Sequence, residues 1–502
     1  MTPFPAFETF KRTYEGGTAQ VVWTTLVADL ETPVSAMLKL AEGRPNSFLL
    51  ESVEGGAARG RYSFIGLKPD LIWRCFGDRA EINRRARFDP DTFEPCTVGA
   101  INSLRDIAKE SRIDLPEDLP PMAAGLVGYM SYDMVRLVEH LPDQNPDVLC
   151  TPDGIFLRPT VIAIFDNIED VVTVVTPVRP TAETSAEAAF DQARERLADV
   201  VSDFGRGLPY RREAGADIGE LPQPGSNVTA AQFHAMVEKG KEYILAGDIF
   251  QVVLSQRFEL PFELPPFALY RSLRRLNPSP FLYFLDFGNF SVVGSSPEIL
   301  VRVREGKVTI RPIAGTRPRG KDREEDKALA EDLLQDPKEL AEHLMLLDLG
   351  RNDVGRVAEI GSVRVTEQMV VERYSHVMHI VSNVEGKLDP DLDAMDALFA
   401  GFPAGTVSGA PKVRAMEIID ELEPDRRSVY AGCIGYFGAD GEMDTCIALR
   451  TAVVKDAKMY VQAGGGIVAD SDPEAEFQES CNKARALLRA AEEAVRFSAK
   501  TG

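Results

Sequence analysis

The sequence predicts an α+β protein, and two regions of the chain indicate that class. Between residues 21 and 176, short runs rich in β-branched and aromatic residues alternate with polar turns, a pattern typical of antiparallel strands. From residue 228 onwards, long helical segments are mixed with further strands. No glycine-rich nucleotide-binding motif joins a strand to a helix, so the folds built around such motifs are not supported.

Length and charge limit the class of protein and its partners. A chain of 502 residues can make two or three average domains or one large body with a sizeable core. Its net charge of −22 argues against nucleic acid or an anionic membrane surface as the main partner. No apolar run reaches the roughly 20 residues that a membrane span needs, so we expect a soluble, unexported protein.

The cysteines indicate a reducing compartment. None of the six has CxxC spacing or a metal-type pairing with histidine, so neither a zinc site nor a disulfide framework is indicated. We therefore expect a cytoplasmic protein. The cysteines are Cys75, Cys96, Cys150, Cys433, Cys446 and Cys481.

The first part of the chain contains six predicted strands. They cover residues 47–53, 61–67, 71–76, 123–132, 160–166 and 171–177. An Ala/Glu-rich helix is predicted over residues 182–204, and a loop rich in Pro, Gly and charge follows it. We place a boundary there, with an N-terminal domain over 20–178, a helix and linker over 179–227, and a catalytic domain over 228–493.

The second part opens with a helix that Thr229 can cap and that ends at Gly247, followed by a strand over 249–255. A second long helix over 336–357 carries Glu339 and Glu342 on one face, beside His343. A di-iron bundle would need Glu-x-x-His, but Met345 stands three positions after Glu342, so a hard cation fits better. Exposed glutamate pairs are common, and the pair alone is weak evidence.

A three-glycine turn, Gly464 to Gly466, leads into a helix that carries Glu476, Glu479 and Lys483. Glycines let the main chain approach a ligand, and the two carboxylates share one helical face, where they can bind Mg²⁺. An ordinary alternative is that the glycines end a strand and that the charges form a solvated helix face.

Three further segments contain candidate groups. His376 and His379 lie in an apolar stretch where a structural histidine is the default, although one of them could transfer protons. The segment 402–424 begins with a Gly/Thr/Ser loop that suits a carboxylate or phosphate at a helix start, and it could equally be a plain capping loop. Glu298, which follows Pro297, is a candidate acid.

Many motifs occur in one order along the chain, and together they resemble those of the chorismate-utilising enzyme family, most closely its anthranilate synthase component I branch. The resemblance covers nearly the whole chain. The motifs are LLES at Leu49, RYSFIG at Arg61, IFQVVLSQR at Ile249, NPSPFLYFL at Asn277, SSPE at Ser295, PIAGT at Pro312, DPKELAEHLMLLDLGRND at Asp336, HVMHIVSNVEG at His376, FPAGTVSGAPK at Phe402, YAGCIGY at Tyr430, CIALRT at Cys446 and AGGGIVADSDPEAEFQES at Ala463.

Two positions distinguish reactions within that family. Members that add water carry Lys where this chain has Gln251, because water needs a base and ammonia does not. Members that make 4-amino-4-deoxychorismate usually have Lys at the position of Ala314, which cannot be a nucleophile. The resemblance thus implies a lyase that adds ammonia at ring carbon 2 and makes anthranilate, the first step of tryptophan synthesis. Aminodeoxychorismate synthase component I is the enzyme alternative, and a catalytically inactive tryptophan-sensing protein is an alternative of another class.

The resemblance also implies roles for individual residues. Glu342 and Glu479 would hold Mg²⁺, with Glu339 and Glu476 supporting them. Glu298 would be the general acid and His379 the proton acceptor. The other implied catalytic and chorismate-binding residues are Thr406, Lys483, Gly315, Thr316, Tyr430, Arg450, Gly464, Gly465 and Gly466.

A partner, an inhibitor and a fold follow from the same resemblance. Ammonia would come from a separate glutamine amidotransferase subunit, in a heterotetramer of two large and two small subunits. L-tryptophan would inhibit the enzyme by feedback. The fold would be two facing antiparallel β-sheets with outer helices. The residues implied for tryptophan binding are Leu50, Glu51, Ser52, Pro278, Pro280 and Phe281.

Overall fold

The structure is a computed structural model that describes residues 2–54, 58–208, 221–374 and 377–499. Within these residues the helices are α1 Phe7–Glu15, α2 Pro33–Ala41, α3 Ala100–Glu110, α4 Ala186–Phe204, α5 Ala230–Ala246, α6 Pro266–Leu276, α7 Arg323–Gln335, α8 Pro337–Gly355, α9 Ala394–Gly401, α10 Gly405–Ser408, α11 Lys412–Leu422 and α12 Pro473–Ala499. No helix in this part of the chain is both long and apolar enough to cross a membrane.

The strands of the described residues are β1 Gln20–Val27, β2 Ser47–Glu54, β3 Ala58–Phe76, β4 Arg79–Asn83, β5 Glu94–Pro95, β6 Gly125–Met130, β7 Gly154–Asp166, β8 Val171–Val178, β9 Gly225–Ser226, β10 Gln251–Pro261, β11 Phe281–Asp286, β12 Phe290–Ser296, β13 Ile299–Arg304, β14 Lys307–Ile310, β15 Ile313–Pro318, β16 Arg364–Arg373, β17 Val377–Lys387, β18 Gly409–Ala410, β19 Cys433–Gly438, β20 Met443–Ile447, β21 Thr451–Lys455 and β22 Lys458–Ile467.

The strands form one hydrogen-bonded network of antiparallel pairs that divides into two sheets. The first sheet runs β1, β8, β7, β3, β2, β11, β12, β21, β22, β10. The second runs β4, β3, β7, β6, β19, β20, β13, β14, β17, and both β15 and β16 pair with β17. Strands β3 and β7 belong to both sheets and connect them.

The long strand β3 corrects the sequence prediction of two strands over 61–67 and 71–76. Its register with β7 shifts between Pro69 and Leu71, at the point where it passes from one sheet to the other. Pro69 has no N–H to donate, and a register irregularity bends a strand, so the chain changes sheet without ending the strand.

Three hydrophobic layers confirm the predicted α+β fold of facing sheets with outer helices. One core lies between the sheets and combines side chains such as Phe48 and Tyr283 of the first sheet with Tyr129 and Ile434 of the second. A second core packs α1, α2, α4, α6 and α12 against the outside of the first sheet. A third packs α3, α8, α9, α10 and α11 against the outside of the second.

Local capping signals were good guides to helix ends. Thr229 caps α5 in a reciprocal box with Gln232, and Gly247 ends the helix with φ of 84°, because glycine tolerates this left-handed conformation. Helix α4 begins at Ala186, four residues later than predicted, with Ser185 as its cap. The domain boundary remains a prediction, and residues 209–220 of the predicted linker lie outside the described residues.

Candidate active site

The three-glycine segment is part of a strand, which corrects the prediction of a turn. Gly464, Gly465 and Gly466 lie in β22 and pair with β10. A Cβ on Gly465 would lie 2.9 Å from Glu476 Oε2, and one on Gly466 would lie 2.1 Å from Gln251 Nε2. The glycines are therefore needed because acidic and amide side chains lie directly over the strand.

Helix α12 holds its charged groups against this strand. Lys483 Nζ donates a hydrogen bond to the Gly464 carbonyl oxygen at 3.0 Å and lies 2.7 Å from Glu479 Oε1. Ser471 donates to Glu476 Oε1 at 2.7 Å. Burial and the neighbouring charge of Glu479 raise the pKa of Glu476. The predicted acidic face of α12 thus lies against β22.

Glutamates of α8 lie within electrostatic reach of those on α12. The pKa of Glu342 is raised by burial and by repulsion from Glu339 and Glu479, and Lys483 and Gln251 oppose the shift. The carboxylates of α8 and α12 therefore lie near enough to influence each other, and their joint binding of a metal ion stays a prediction.

The carboxylates of α8 and α12 could supply only some of the ligands that a hard cation such as Mg²⁺ needs. The pKa of Glu342 and that of Glu476 are raised first by burial and then by repulsion from neighbouring glutamates, and such repulsion favours a cation between the carboxylates. Mg²⁺ takes one or two carboxylates while keeping other oxygen ligands. Among the described residues, no group of three or more His, Cys, Asp or Glu side chains could by itself hold a metal ion. Glu339 is also engaged by Arg317, 3.2 Å away. Water and substrate oxygens would have to complete the coordination.

Glu298 immediately precedes β13 and is only 6% exposed. Burial raises its pKa to about 8, although hydrogen bonds from Thr406 and from the Ile313 backbone oppose the shift. The Thr406 hydroxyl donates to Glu298 Oε1 at 3.2 Å. At neutral pH this carboxyl is protonated and can act as an acid.

His379 lies on β17 in a defined tautomer. Its Nδ1 is 2.9 Å from the Gly315 carbonyl oxygen, and a carbonyl can only accept, so we assign the proton to Nδ1 and a free lone pair to Nε2. Burial and the nearby charge of Arg450 lower the pKa of the imidazole. Thr316 Oγ1 lies 3.2 Å from the same Nδ1. His376 falls outside the described residues.

Arg450 is a half-buried cation without a carboxylate partner among the described residues. No Asp or Glu of the described chain lies within ion-pair distance of it, and desolvation lowers its pKa. Tyr430 is 7% exposed, burial raises its pKa to about 12, and Arg427 lies 5.5 Å from its ring centre. An unpaired guanidinium in a partly buried site suits an anionic ligand, which would restore charge balance.

A separate cavity of about 1290 Å³ opens between the two sheets. It is lined by five of the six residues implied for tryptophan: Leu50, Glu51, Ser52, Pro280 and Phe281. The sixth, Pro278, is outside the lining. The carboxylate of Glu51 already accepts hydrogen bonds from Tyr270 at 2.5 Å and from Arg274 at 2.5 and 2.7 Å. Glu51 therefore ties β2 to helix α6, a role that the sequence did not reveal.

Sequence reasoning missed Tyr374. Its ring centre lies 5.6 Å from that of His379, and its hydroxyl donates to Glu372 Oε2 at 2.8 Å. Burial raises its pKa, and so do the charges of Glu372 and Glu298. The sequence showed only that an aromatic residue precedes the two histidines. That pattern alone indicates no function, because the folded sheets are needed to bring Tyr374 near Glu298.

Comparisons with known proteins identify the family to which the chain is similar. The family described as chorismate binding enzyme matches residues 67–489. "Anthranilate synthase component 1" of Cereibacter sphaeroides is 61% identical over 99% of each chain, and that of Pseudomonas putida is 50% identical over 94% of this chain and 95% of the relative. The crystal structure of anthranilate synthase component I from Streptococcus pneumoniae is 40% identical, with a TM-score of 0.75 over 85% of this chain and 92% of that one.

A more distant structure shares the fold alone. The menaquinone-specific isochorismate synthase MenF of Escherichia coli is 21% identical, with a TM-score of 0.71 over 97% of this chain and 99% of that one. The chain belongs to the chorismate-binding enzyme family. Within it, the chain is a member of the anthranilate synthase component I branch, as its motifs predicted.

Proposed function

We propose that the chain converts chorismate and ammonia into anthranilate, pyruvate and water, as a carbon–oxygen lyase in tryptophan synthesis. One observation carries the proposal: an acid that is protonated at neutral pH, Glu298, shares a site with a neutral histidine, His379. The reaction needs both, because a hydroxyl must leave with a proton and a ring carbon must lose one.

The substrate carboxylates would be held at two ends of the site. Arg450, with Tyr430 and the backbone amides of 464–466, would bind the enolpyruvyl carboxylate, since the guanidinium has no internal partner. Glu342 and Glu479 would hold Mg²⁺, with Glu339 and Glu476 in support. The bound ion would supply positive charge for the ring carboxylate of chorismate.

In the first half-reaction Glu298 would act as the acid. Its carboxyl proton passes to the C4 hydroxyl, the C4–O bond breaks, and water leaves while the nitrogen of ammonia bonds to C2. Thr406 holds Glu298 in place through the 3.2 Å hydrogen bond. Gly315 and Thr316 would border the ring.

In the second half-reaction His379 would act as the base. The Nε2 lone pair takes the proton from C2, the C3–O bond breaks, and enolpyruvate leaves as the ring becomes aromatic. Enolpyruvate takes up a proton, supplied by the imidazolium, to become pyruvate, and the ammonium on C2 returns one to the Glu298 carboxylate. The Gly315 carbonyl keeps Nε2 unprotonated by binding the proton on Nδ1 at 2.9 Å. Lys483 would add positive charge near the reacting ring.

Gln251 and Ala314 support ammonia and anthranilate over the alternatives. Gln251 is buried, and its Oε1 has no hydrogen-bond partner among the described residues. An amide oxygen can accept an N–H from ammonia but cannot act as the base that water would need. Ala314 cannot form a covalent bond to the substrate, so amination at C4 through a lysine adduct is disfavoured.

Ammonia would come from a separate glutaminase subunit, in a heterotetramer of two large and two small chains. Burial raises the pKa of five cysteines, whereas a glutaminase nucleophile needs a lowered one. These are Cys75, Cys96, Cys433, Cys446 and Cys481. All six cysteines are free thiols, which fits a cytoplasmic location.

L-tryptophan would bind in the cavity between the sheets and inhibit the enzyme. Pro280 and Phe281 offer flat faces for an indole, and Leu50 and Ser52 lie on the opposite strand. Glu51 is already hydrogen-bonded to Arg274 and Tyr270. It would therefore support tryptophan binding by holding helix α6 in place and by its negative charge. Inhibition requires that tryptophan prefer a state in which the catalytic site is less competent.

Product identification tests the proposed function. The purified chain is incubated with chorismate, Mg²⁺ and ammonium at alkaline pH, and the products are separated and identified by mass and fluorescence. We expect anthranilate and pyruvate in equal amounts. An amino-cyclohexadiene that keeps its enolpyruvyl group and carries nitrogen at C4 would indicate the aminodeoxychorismate alternative, and no turnover would indicate a binding protein.

A further inference from the structure

Tyr374 lies where the site of the proposed reaction and the cavity between the sheets share a wall. On one side its ring packs edge-on against His379, with 5.6 Å between ring centres and 61° between planes. Its carbonyl oxygen accepts a hydrogen bond from Arg319 at 2.6 Å. The residue is therefore held by its backbone and by its ring.

The hydroxyl of Tyr374 is held by the ion pair of Glu372 and Arg311. It donates to Glu372 Oε2 at 2.8 Å, and Arg311 Nη2 binds Glu372 Oε1 at 2.5 Å and Glu367 Oε2 at 2.8 Å. In the antiparallel pairing of β16 with β17, the backbone of Glu372 lies directly opposite that of His379. These contacts hold the tyrosine hydroxyl to Glu372 and, through it, to Arg311.

Tyr374 also lies within electrostatic reach of the acid and of the unpaired cation. The charge of Glu298 contributes to the raised pKa of Tyr374, and Tyr374 in turn acts on Arg450. Of the three candidate groups of the proposed reaction, His379 thus contacts the Tyr374 ring, and Glu298 and Arg450 lie within its electrostatic reach.

The other side of this wall faces the inter-sheet cavity. Arg311, Glu372 and Tyr374 line it together with Ser52 and Phe281 from its opposite side. A ligand that enters the cavity can therefore contact the same groups that fix His379, without entering the catalytic site.

We propose that Tyr374 is a positioning residue for His379, and that the wall of Tyr374, Glu372 and Arg311 is the contact through which a ligand in the inter-sheet cavity acts on the reaction. The inference rests on the proposed function. Removing the hydroxyl frees the ring from Glu372, so His379 loses its lateral support and the wall loses its connection to Arg311.

The test is Tyr374→Phe, which keeps the ring and deletes one oxygen. We expect kcat to fall about ten- to a hundredfold, because small misplacements of reacting groups have effects of this size. KM for chorismate should stay within about twofold, because the substitution removes none of the groups proposed to bind chorismate. The aminated, unaromatised intermediate should build up, and the tryptophan concentration for half inhibition should rise about tenfold or more.

Tyr243→Phe is the matched control. Its hydroxyl also binds a glutamate, Glu421, at 2.8 Å, but it lies on the exposed side of α5, so kcat, KM and inhibition should be unchanged. Should Tyr374→Phe fold poorly, Glu372→Gln, which breaks the Arg311 ion pair, should give the same pattern in weaker form.

Two results would overturn the inference. One is wild-type kcat and inhibition in Tyr374→Phe. The other is a loss of activity that follows only the folded fraction, with inhibition of the folded molecules unchanged. If the wild-type chain makes no anthranilate, the proposed function fails instead, so the two failures are distinguishable.

Discussion

Loss of solvent keeps Glu298 protonated and His379 unprotonated. Burial raises the pKa of the carboxyl to about 8 and lowers that of the imidazole, because in both cases it disfavours the charged form. At neutral pH one group can give a proton and the other can accept one. The sequence predicted both roles through family resemblance, but it held no information on the burial that produces them.

Replacing Glu298 tests the acid. Glu298→Gln keeps the shape and the contact with Thr406 but has no acidic proton, so kcat should fall about 10²- to 10⁴-fold. In the wild type, kcat/KM should decline as pH rises through about 8, where Glu298 loses its proton. Stopped assays between pH 6 and 10 measure both. A wild-type rate in the variant would contradict the role.

Glu298→Gln should lower kcat but raise the stability of the folded protein at alkaline pH. A carboxyl whose pKa rises from 4.5 to about 8 on folding binds its proton more tightly in the folded state, so its contribution to stability is complete below about pH 4.5 and is lost as pH rises towards 8. Glu298→Gln removes this loss. Urea unfolding at pH 8 should therefore show a more stable variant, and equal stability would indicate that the carboxyl is solvated.

Replacing His379 tests the base. His379→Ala should still allow amination, because Glu298 is intact, so the aminated and unaromatised intermediate should accumulate while anthranilate formation falls. Chromatography of the reaction mixture measures both. His140→Ala, at an exposed histidine, is the control and should behave as the wild type. Finding only unreacted chorismate with His379→Ala would refute the assignment.

Helices and strands differ in how far the sequence could predict them. Helix α5 has a capping box at Thr229 and a left-handed glycine at its end, and such signals are local in the sequence. The run Gly464–466 looked like a turn because its pairing with β10, more than 200 residues earlier, is a long-range event. The single strand β3 was missed for the same reason.

The cavity wall formed by β2 and β11 leads to a prediction about inhibition. Ser52 lines the cavity and its Oγ lies where a Cβ on Gly60 would be, so there is little free space on the strand side. Ser52→Phe should fill the indole site and abolish tryptophan inhibition, while kcat and KM remain near the wild-type values. Inhibition curves at fixed chorismate measure this, and unchanged inhibition would place tryptophan elsewhere.

The whole molecule assembles its site from segments that are far apart in sequence. Glu298 precedes β13, His379 lies on β17, Thr406 on α10, Glu342 on α8 and Glu479 on α12. Only the two sheets joined by β3 and β7 bring these segments together. Motif order could suggest these residues as candidates, but Tyr374 and the Glu51–Arg274 pair required the assembled structure.

The isolated chain should depend on free ammonia. Burial raises the pKa of five of its six cysteines, which disfavours attack on glutamine, so glutamine alone should give no anthranilate, whereas ammonium at alkaline pH should. Adding a glutaminase subunit should restore glutamine-dependent turnover. Parallel assays with each nitrogen source measure this. Glutamine-dependent turnover by the pure chain would contradict the proposal that a separate subunit releases ammonia from glutamine.

We propose that carboxylates from α8 and α12 jointly hold one divalent ion, and calorimetric titration of Mg²⁺ in the presence of benzoate, a ring carboxylate that cannot react, can detect it. We expect one ion per chain in the wild type and binding weakened about tenfold or more in both Glu342→Gln and Glu479→Gln, because each removes a ligand charge. Glu474→Gln, at a glutamate that pairs with His234 instead, should leave the affinity unchanged. Wild-type affinity in both Glu342→Gln and Glu479→Gln would contradict it.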